Sequence, residues 1–89
     1  MKHLNIKIYG KVQGTGLRYS ANKLADKLSV KGFIRNEADG TVYVEAEGEE
    51  KTLDEFVIWL HKGPMFALVE KVDIEESELK GYNTFEIRY

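Results

Sequence analysis

The chain of 89 residues has no cysteine and a single proline. The missing cysteine rules out a disulfide framework, a thiolate nucleophile and a thiolate metal site, and it suits a reducing compartment. With hydrophobic residues at 43%, the composition is that of a packed globular chain and not of a disordered one. No apolar run approaches the roughly 18 residues that a membrane-spanning helix needs, and Met1-Lys2-His3 leads straight into a strand pattern. A cytoplasmic protein without membrane contact is therefore expected. A basic excess is absent too, since 13 basic side chains against 15 acidic ones leave a net charge of −2. That gives no footing for neutralising a nucleic-acid backbone, and no nucleic-acid partner is expected. His3 and His61 stand far apart without spaced carboxylate partners, so neither a metal nor any other cofactor is expected.

What remains fits one core, and residues 1–89 are read as a single domain without linker or repeat. Residues 3–9 alternate, with Leu4, Ile6 and Ile8 on one face and His3, Asn5 and Lys7 on the other, a half-buried strand. Leu17, Ala21, Leu24, Ala25 and Leu28 recur at helical spacing, and Lys31-Gly32 is expected to end that helix. Phe33 to Asn36 reads as a short strand. Glu37-Ala38-Asp39-Gly40 is a turn whose Asp-Gly pair suits a hairpin. In the returning strand, Thr41 to Glu47, Val42, Val44 and Ala46 are expected to face inward, and Tyr43, Glu45 and Glu47 outward. A second helix from about Lys51 to Lys62 carries Leu53, Phe56, Val57 and Leu60, with Thr52 to Glu55 as a capping box and Gly63-Pro64 as its stop. Strands over Leu68 to Ile74 and Thr84 to Tyr89 complete the order. The pattern β-α-β-β-α-β plus a short C-terminal strand predicts an α+β, ferredoxin-like split β-α-β sandwich. Two helices would cover one face of a mainly antiparallel sheet and leave the other open to solvent.

The stretch Gly10-Lys11-Val12-Gln13-Gly14-Thr15-Gly16-Leu17-Arg18 joins the first strand to the first helix. Glycines at a helix N-terminus offer free N–H groups to an anion, and Arg18 adds a permanently charged planar fork. The loop is neither a Walker A sequence nor a dinucleotide fingerprint, because the required Gly-Lys-Ser/Thr and the third glycine are missing. Taken alone, it is read equally well as an anion cradle or as a tight turn.

A second stretch, Gly32-Phe33-Ile34-Arg35-Asn36 followed by Asp39-Gly40, alters that balance. Gly10, Val12, Gln13, Gly14 and Arg18 match Gly-x-Val-Gln-Gly-x-x-x-Arg, and Gly32 and Asn36 match Gly-x-x-x-Asn. With these two signatures in tandem the chain resembles the acylphosphatase family, and the likeness runs on to Phe85-Glu86-Ile87-Arg88-Tyr89. The resemblance implies hydrolysis of an acyl phosphate to a carboxylate and inorganic phosphate. It also implies that Arg18, with the backbone N–H groups of Gln13, Gly14, Thr15, Gly16, Leu17 and Arg18, binds the phosphate, and that Asn36 orients the attacking water. The partners would be a small acyl phosphate as substrate and inorganic phosphate as product and inhibitor, with the protein a monomer. Thr15 and Leu17 depart from the usual aliphatic and aromatic residues of the family loop, which bears on rate and substrate preference. A small-anion-binding regulatory module on the same fold is the alternative, and an accessory domain within a larger carbamoyl-transfer protein is a third reading. The chain ends cleanly at its terminal strands, which counts against the third. Glu37 and Asp39 are read as turn residues, and Trp59 is left between helix-edge packing and a contact role.

Overall fold

Period-two alternation in the first strand sets the frame of the molecule, for which the computed structural model describes every residue from Met1 to Tyr89. Strand β1 (Lys2–Lys11) buries Ile6 and Ile8 completely on one face. The same core takes up α1 (Leu17–Leu28), whose buried Leu17, Ala21 and Ala25 recur every four residues. Its alanines carry almost no side chain, which lets a helix lie close to a sheet. The helix stops earlier than Lys31-Gly32, because Ser29 takes the left-handed conformation at φ 58° and Val30 donates back to the Ala25 carbonyl at 2.8 Å. Lys31 and Gly32 already belong to β2 (Lys31–Asn36).

β3 (Val42–Gly48) returns antiparallel to β2 and presents Val42, Val44 and Ala46 to the core. The second helix, α2 (Glu50–Lys62), buries Leu53, Phe56 and Leu60. The predicted capping box does not form: Glu49 is the N-cap, and the Thr52 hydroxyl donates to the Glu49 carbonyl instead of receiving a helix N–H. Trp59 packs half-buried against the core at the edge of this helix. β4 (Leu68–Ser77) runs three residues beyond its predicted end, and β5 (Phe85–Arg88) closes the chain.

The sheet order is β4-β1-β3-β2-β5. β3 pairs antiparallel with both β1 and β2, so those two strands run in the same direction, and β5 is parallel to β2. The C-terminal ends of β1, β2 and β5 therefore meet at one end of the sheet. With α1 and α2 beside it, this is the predicted ferredoxin-like split β-α-β sandwich.

The far face of the sheet is less open than its charged residues suggest. His3, Glu45 and Glu47, expected to face water, are 0%, 7% and 3% exposed. Residues 78–84 fold over them. The Glu47 carboxylate accepts the backbone N–H groups of Lys80, Gly81 and Tyr82 and a 2.6 Å contact from His3 Nδ1. Glu45 accepts from Lys80 Nζ (2.9 Å) and from the Tyr82 and Tyr43 hydroxyls (2.7 and 2.8 Å). His3 Nε2 faces Asn5 Oδ1 at 2.8 Å and Glu45 at 3.2 Å. Both ring nitrogens of His3 thus face oxygen acceptors. Alternation assigned these residues to the correct face; what it does not encode is that a later segment covers that face.

Candidate active site

The connection from β1 to α1 begins with an irregularity. The pairing of β1 with β4 shifts between Tyr9 and Gly10, a bulge that turns the strand end. Gly10 sits there at φ 126°, and a Cβ on it would lie 2.2 Å from the Leu68 carbonyl oxygen, so the two backbones meet where no side chain fits. The loop then passes through Gly14 (φ 73°) and Gly16 (φ 83°) into the helix. Gly16 is the N-cap and has no side chain to satisfy the first turn. The one backbone bond outside the regular ladders that touches this loop runs from Ser20 N–H to the Gly16 carbonyl. The N–H groups from Gln13 to Tyr19 therefore donate to no backbone carbonyl. Such a row of free donors at a helix N-terminus favours negative charge.

Of these residues Gly14, Gly16, Leu17, Arg18 and Tyr19 line a pocket of about 190 Å³, and Gln13 and Thr15 do not. Gly14, Gly16, Leu17 and Arg18 line it from the loop and first turn, Asn36 from the end of β2, and Tyr19, Ile87 and Tyr89 complete it. Arg18 and Asn36, 18 positions apart in the chain, thus share one cavity because β1 and β2 end at the same edge of the sheet. No carboxylate pairs with Arg18, whereas Arg35 and Arg88 are paired with Glu37 and Glu86. Arg18 Nη1 reaches the Arg88 carbonyl at 3.4 Å, and its guanidinium lies 4.9 Å from the centre of the Tyr89 ring. A cation without an anionic partner is left facing the pocket.

The side chains of Gln13 and Thr15 are engaged elsewhere. Gln13 Nε2 donates to the carbonyls of Glu37 (2.8 Å) and Thr41 (2.9 Å), across the turn that follows Asn36. The Thr15 hydroxyl donates to the Val12 carbonyl at 2.7 Å, closing the loop on itself. Only the backbone of these two residues is free to meet a ligand. Glu37 and Asp39 serve the turn, as expected. Asp39 accepts from the hydroxyl and N–H of Thr41 and from Lys7 (3.1 Å), and these partners, the Thr41 hydroxyl first, hold its carboxyl at about 2. No group of three or more His, Asp or Glu side chains is arranged to hold a metal.

The sequence reading missed Tyr19, Ile87 and Tyr89 as pocket residues. Alternation of Phe85, Ile87 and Tyr89 places them on one side of the last strand. Only the parallel pairing of β5 beside β2 brings Ile87 and Tyr89 next to Asn36.

Fold and pocket together define a small α+β protein with an anion-receptive loop at one sheet end. The acylphosphatase family model matches residues 4–87. The acylphosphatase of Ligilactobacillus salivarius is 44% identical over 91 residues, spanning all of both chains, and that of Archaeoglobus fulgidus is 42% identical over 97% of each. Among solved structures, the acylphosphatase of Bacillus subtilis superposes with a TM-score of 0.97 at 38% identity, covering both chains fully. The chain belongs to the acylphosphatase family, and by that membership it is a hydrolase of acyl phosphates. The same fold is also found as 12% of full-length HypF (30% identity, TM-score 0.88), whose crystal structure is a phosphate- and nucleotide-bound form.

Proposed function

We propose that Arg18 and the free N–H groups of residues 13–18 bind the phosphoryl group, and that Asn36 aims the attacking water. One observation carries this reading: a single pocket holds an arginine without a carboxylate partner, a row of unused backbone donors and one carboxamide. An acyl phosphate is a mixed anhydride whose carboxylate leaves readily, so the leaving group needs no strong general acid. What the site must supply is a fixed phosphoryl group, dispersal of its charge and a water in line with the breaking bond. The water oxygen bonds to phosphorus as the bond from phosphorus to the acyl oxygen breaks. The electron pair leaves with the carboxylate, and the water's proton passes to a phosphate oxygen or to solvent. The Asn36 amide accepts no proton near neutral pH; its part is geometric. The phosphate product fits the same cradle and so inhibits competitively. One chain supplies every element of the pocket, which supports action as a monomer, and the cysteine-free composition supports a cytoplasmic setting.

The test is release of phosphate from acetyl phosphate without added metal. Arg18→Ala is expected to abolish both turnover and inhibition by phosphate. Asn36→Ala is expected to cut turnover to a small residual rate whose inhibition by phosphate is largely unchanged. Full activity of either folded variant would refute the assignment of that residue.

A further inference from the structure

We infer that the Gln13 side chain is a positioning residue for Asn36, not part of the phosphate cradle. The inference rests on the water-orienting reading of Asn36 given above. Gln13 points its Nε2 at two carbonyl oxygens, those of Glu37 at 2.8 Å and Thr41 at 2.9 Å. Both partners accept, so only the NH2 end of the carboxamide can face them, and its two hydrogens are both used. The two carbonyls already belong to the hairpin turn: Glu37 N–H donates to the Thr41 carbonyl at 2.9 Å, and Gly40 N–H to that of Glu37 at 3.2 Å. Asn36 lies one residue before this turn, paired with Val42 one residue after it. Gln13 therefore clasps the backbone on both strands of the hairpin next to the Asn36–Val42 rung.

The anchor at the other end is the phosphate loop itself. Thr15 holds that loop closed on the Val12 carbonyl at 2.7 Å, so Gln13 projects from a fixed base. The separation between the phosphate-binding donors and Asn36 is thereby set by one side chain spanning loop and hairpin. In-line attack requires the water to stand at a fixed distance and angle from phosphorus, and displacement by about 1 Å can lower the rate by about 100-fold. No other side chain in the structure donates to the Glu37 or Thr41 carbonyl.

Gln13→Met keeps the length and volume of the side chain and removes both donors. With acetyl phosphate as substrate, this variant is expected to lose about 10- to 100-fold in kcat while its inhibition constant for inorganic phosphate stays within about twofold of wild type. In an Asn36→Ala background the same change is expected to cost little further, because the group it positions is gone. Equal losses in both backgrounds, a weakening of phosphate binding in step with kcat, or an unchanged kcat would each overturn the inference. Wild-type turnover in Asn36→Ala alone would instead refute the water-orienting reading on which it rests, so the two failures are distinguishable. A measurement on the unaltered protein needs no variant to fold. Gln13 is the only glutamine, so selective 15N-glutamine labelling shows its side-chain NH2 as one pair of resonances, free of the asparagine amides. The pair is expected to exchange slowly with solvent and to stay in place on addition of inorganic phosphate; exchange at the rate of a free amide would overturn the inference.

Discussion

Replacing Glu45 by glutamine isolates a pH-dependent part of the stability. Burial pushes the Glu45 carboxyl up, but hydrogen bonds from Lys80, Tyr82 and Tyr43 together outweigh it and hold the group at about 2, below its ordinary 4.5. His3 Nε2, 3.2 Å away, faces the same carboxylate. The group is depressed in the folded chain and returns to its ordinary value on unfolding. Its contribution is therefore complete above pH 4.5 and is lost as the pH falls through about 2. A drop of this size, at about 1.4 kcal/mol per pH unit, corresponds to roughly 3 kcal/mol. Urea unfolding of wild type and Glu45→Gln from pH 7 to pH 2 gives the difference curve. Asp39 and Glu47, whose carboxyls are also depressed, are present in both proteins and largely cancel. Above pH 5 the wild type should be the more stable by a constant amount on the order of 3 kcal/mol, and most of that margin should vanish by pH 2. A difference that stays constant from pH 6 to pH 2 would refute the reasoning. It would mean that the carboxylate contributes packing and neutral hydrogen bonds but no charge.

Three further outcomes follow from contacts near the pocket. Gly10→Ala would force a Cβ against the Leu68 carbonyl oxygen at a strongly positive φ; a loss of at least about 2 kcal/mol in chemical denaturation is expected, with a displaced phosphate loop. Thr15→Val keeps the shape and removes the bond to Val12, so stability should fall by about 0.5–1.5 kcal/mol, with phosphate inhibition retained. Tyr89→Ala removes the ring that lies 4.9 Å from the Arg18 guanidinium. Loss of about 0.5–1 kcal/mol of this interaction should raise KM by about 2- to 5-fold, whereas Tyr89→Phe should leave it nearly unchanged.

Most of the architecture is legible because each element carries its own period. Ile6 and Ile8, then Val42, Val44 and Ala46, alternate; Leu17, Ala21 and Ala25 recur every four residues; all face the core as their spacing requires. The errors fall where local pattern loses to context. Ser29 ends α1 although a Gly stands three residues later, because that glycine is needed inside β2 against the Glu45 backbone. Thr52 precedes Glu55 by the right interval for a capping box, but the helix starts earlier and leaves Thr52 inside it. His3, Glu45 and Glu47 read as solvent-facing because covering them requires Lys80 to Tyr82, some 33 or more residues further along the chain. A charge buried by a distant segment leaves no trace in nearby spacing.

For the candidate site, the loop glycines, Arg18 and Asn36 carry a signal because both stretches match a recognisable pattern. The pocket's other wall, Ile87 and Tyr89, depends on strand order and is invisible to spacing alone. Nor does sequence show how a chain of net charge −2 presents a cationic pocket. The carboxylates closest to Asn36 in sequence, Glu37 and Asp39, would repel an incoming phosphate if they were free. Instead Glu37 is paired with Arg35 at 3.1 Å and Asp39 with Lys7 at 3.1 Å, while Arg18 is left without a carboxylate. Glu45 and Glu47 are bound by His3, Lys80 and backbone donors near the start of β1, at the opposite end of that strand from the phosphate loop. The field at the pocket thus depends less on the total charge than on which charges are already compensated. In this chain Arg18 is the arginine that is not.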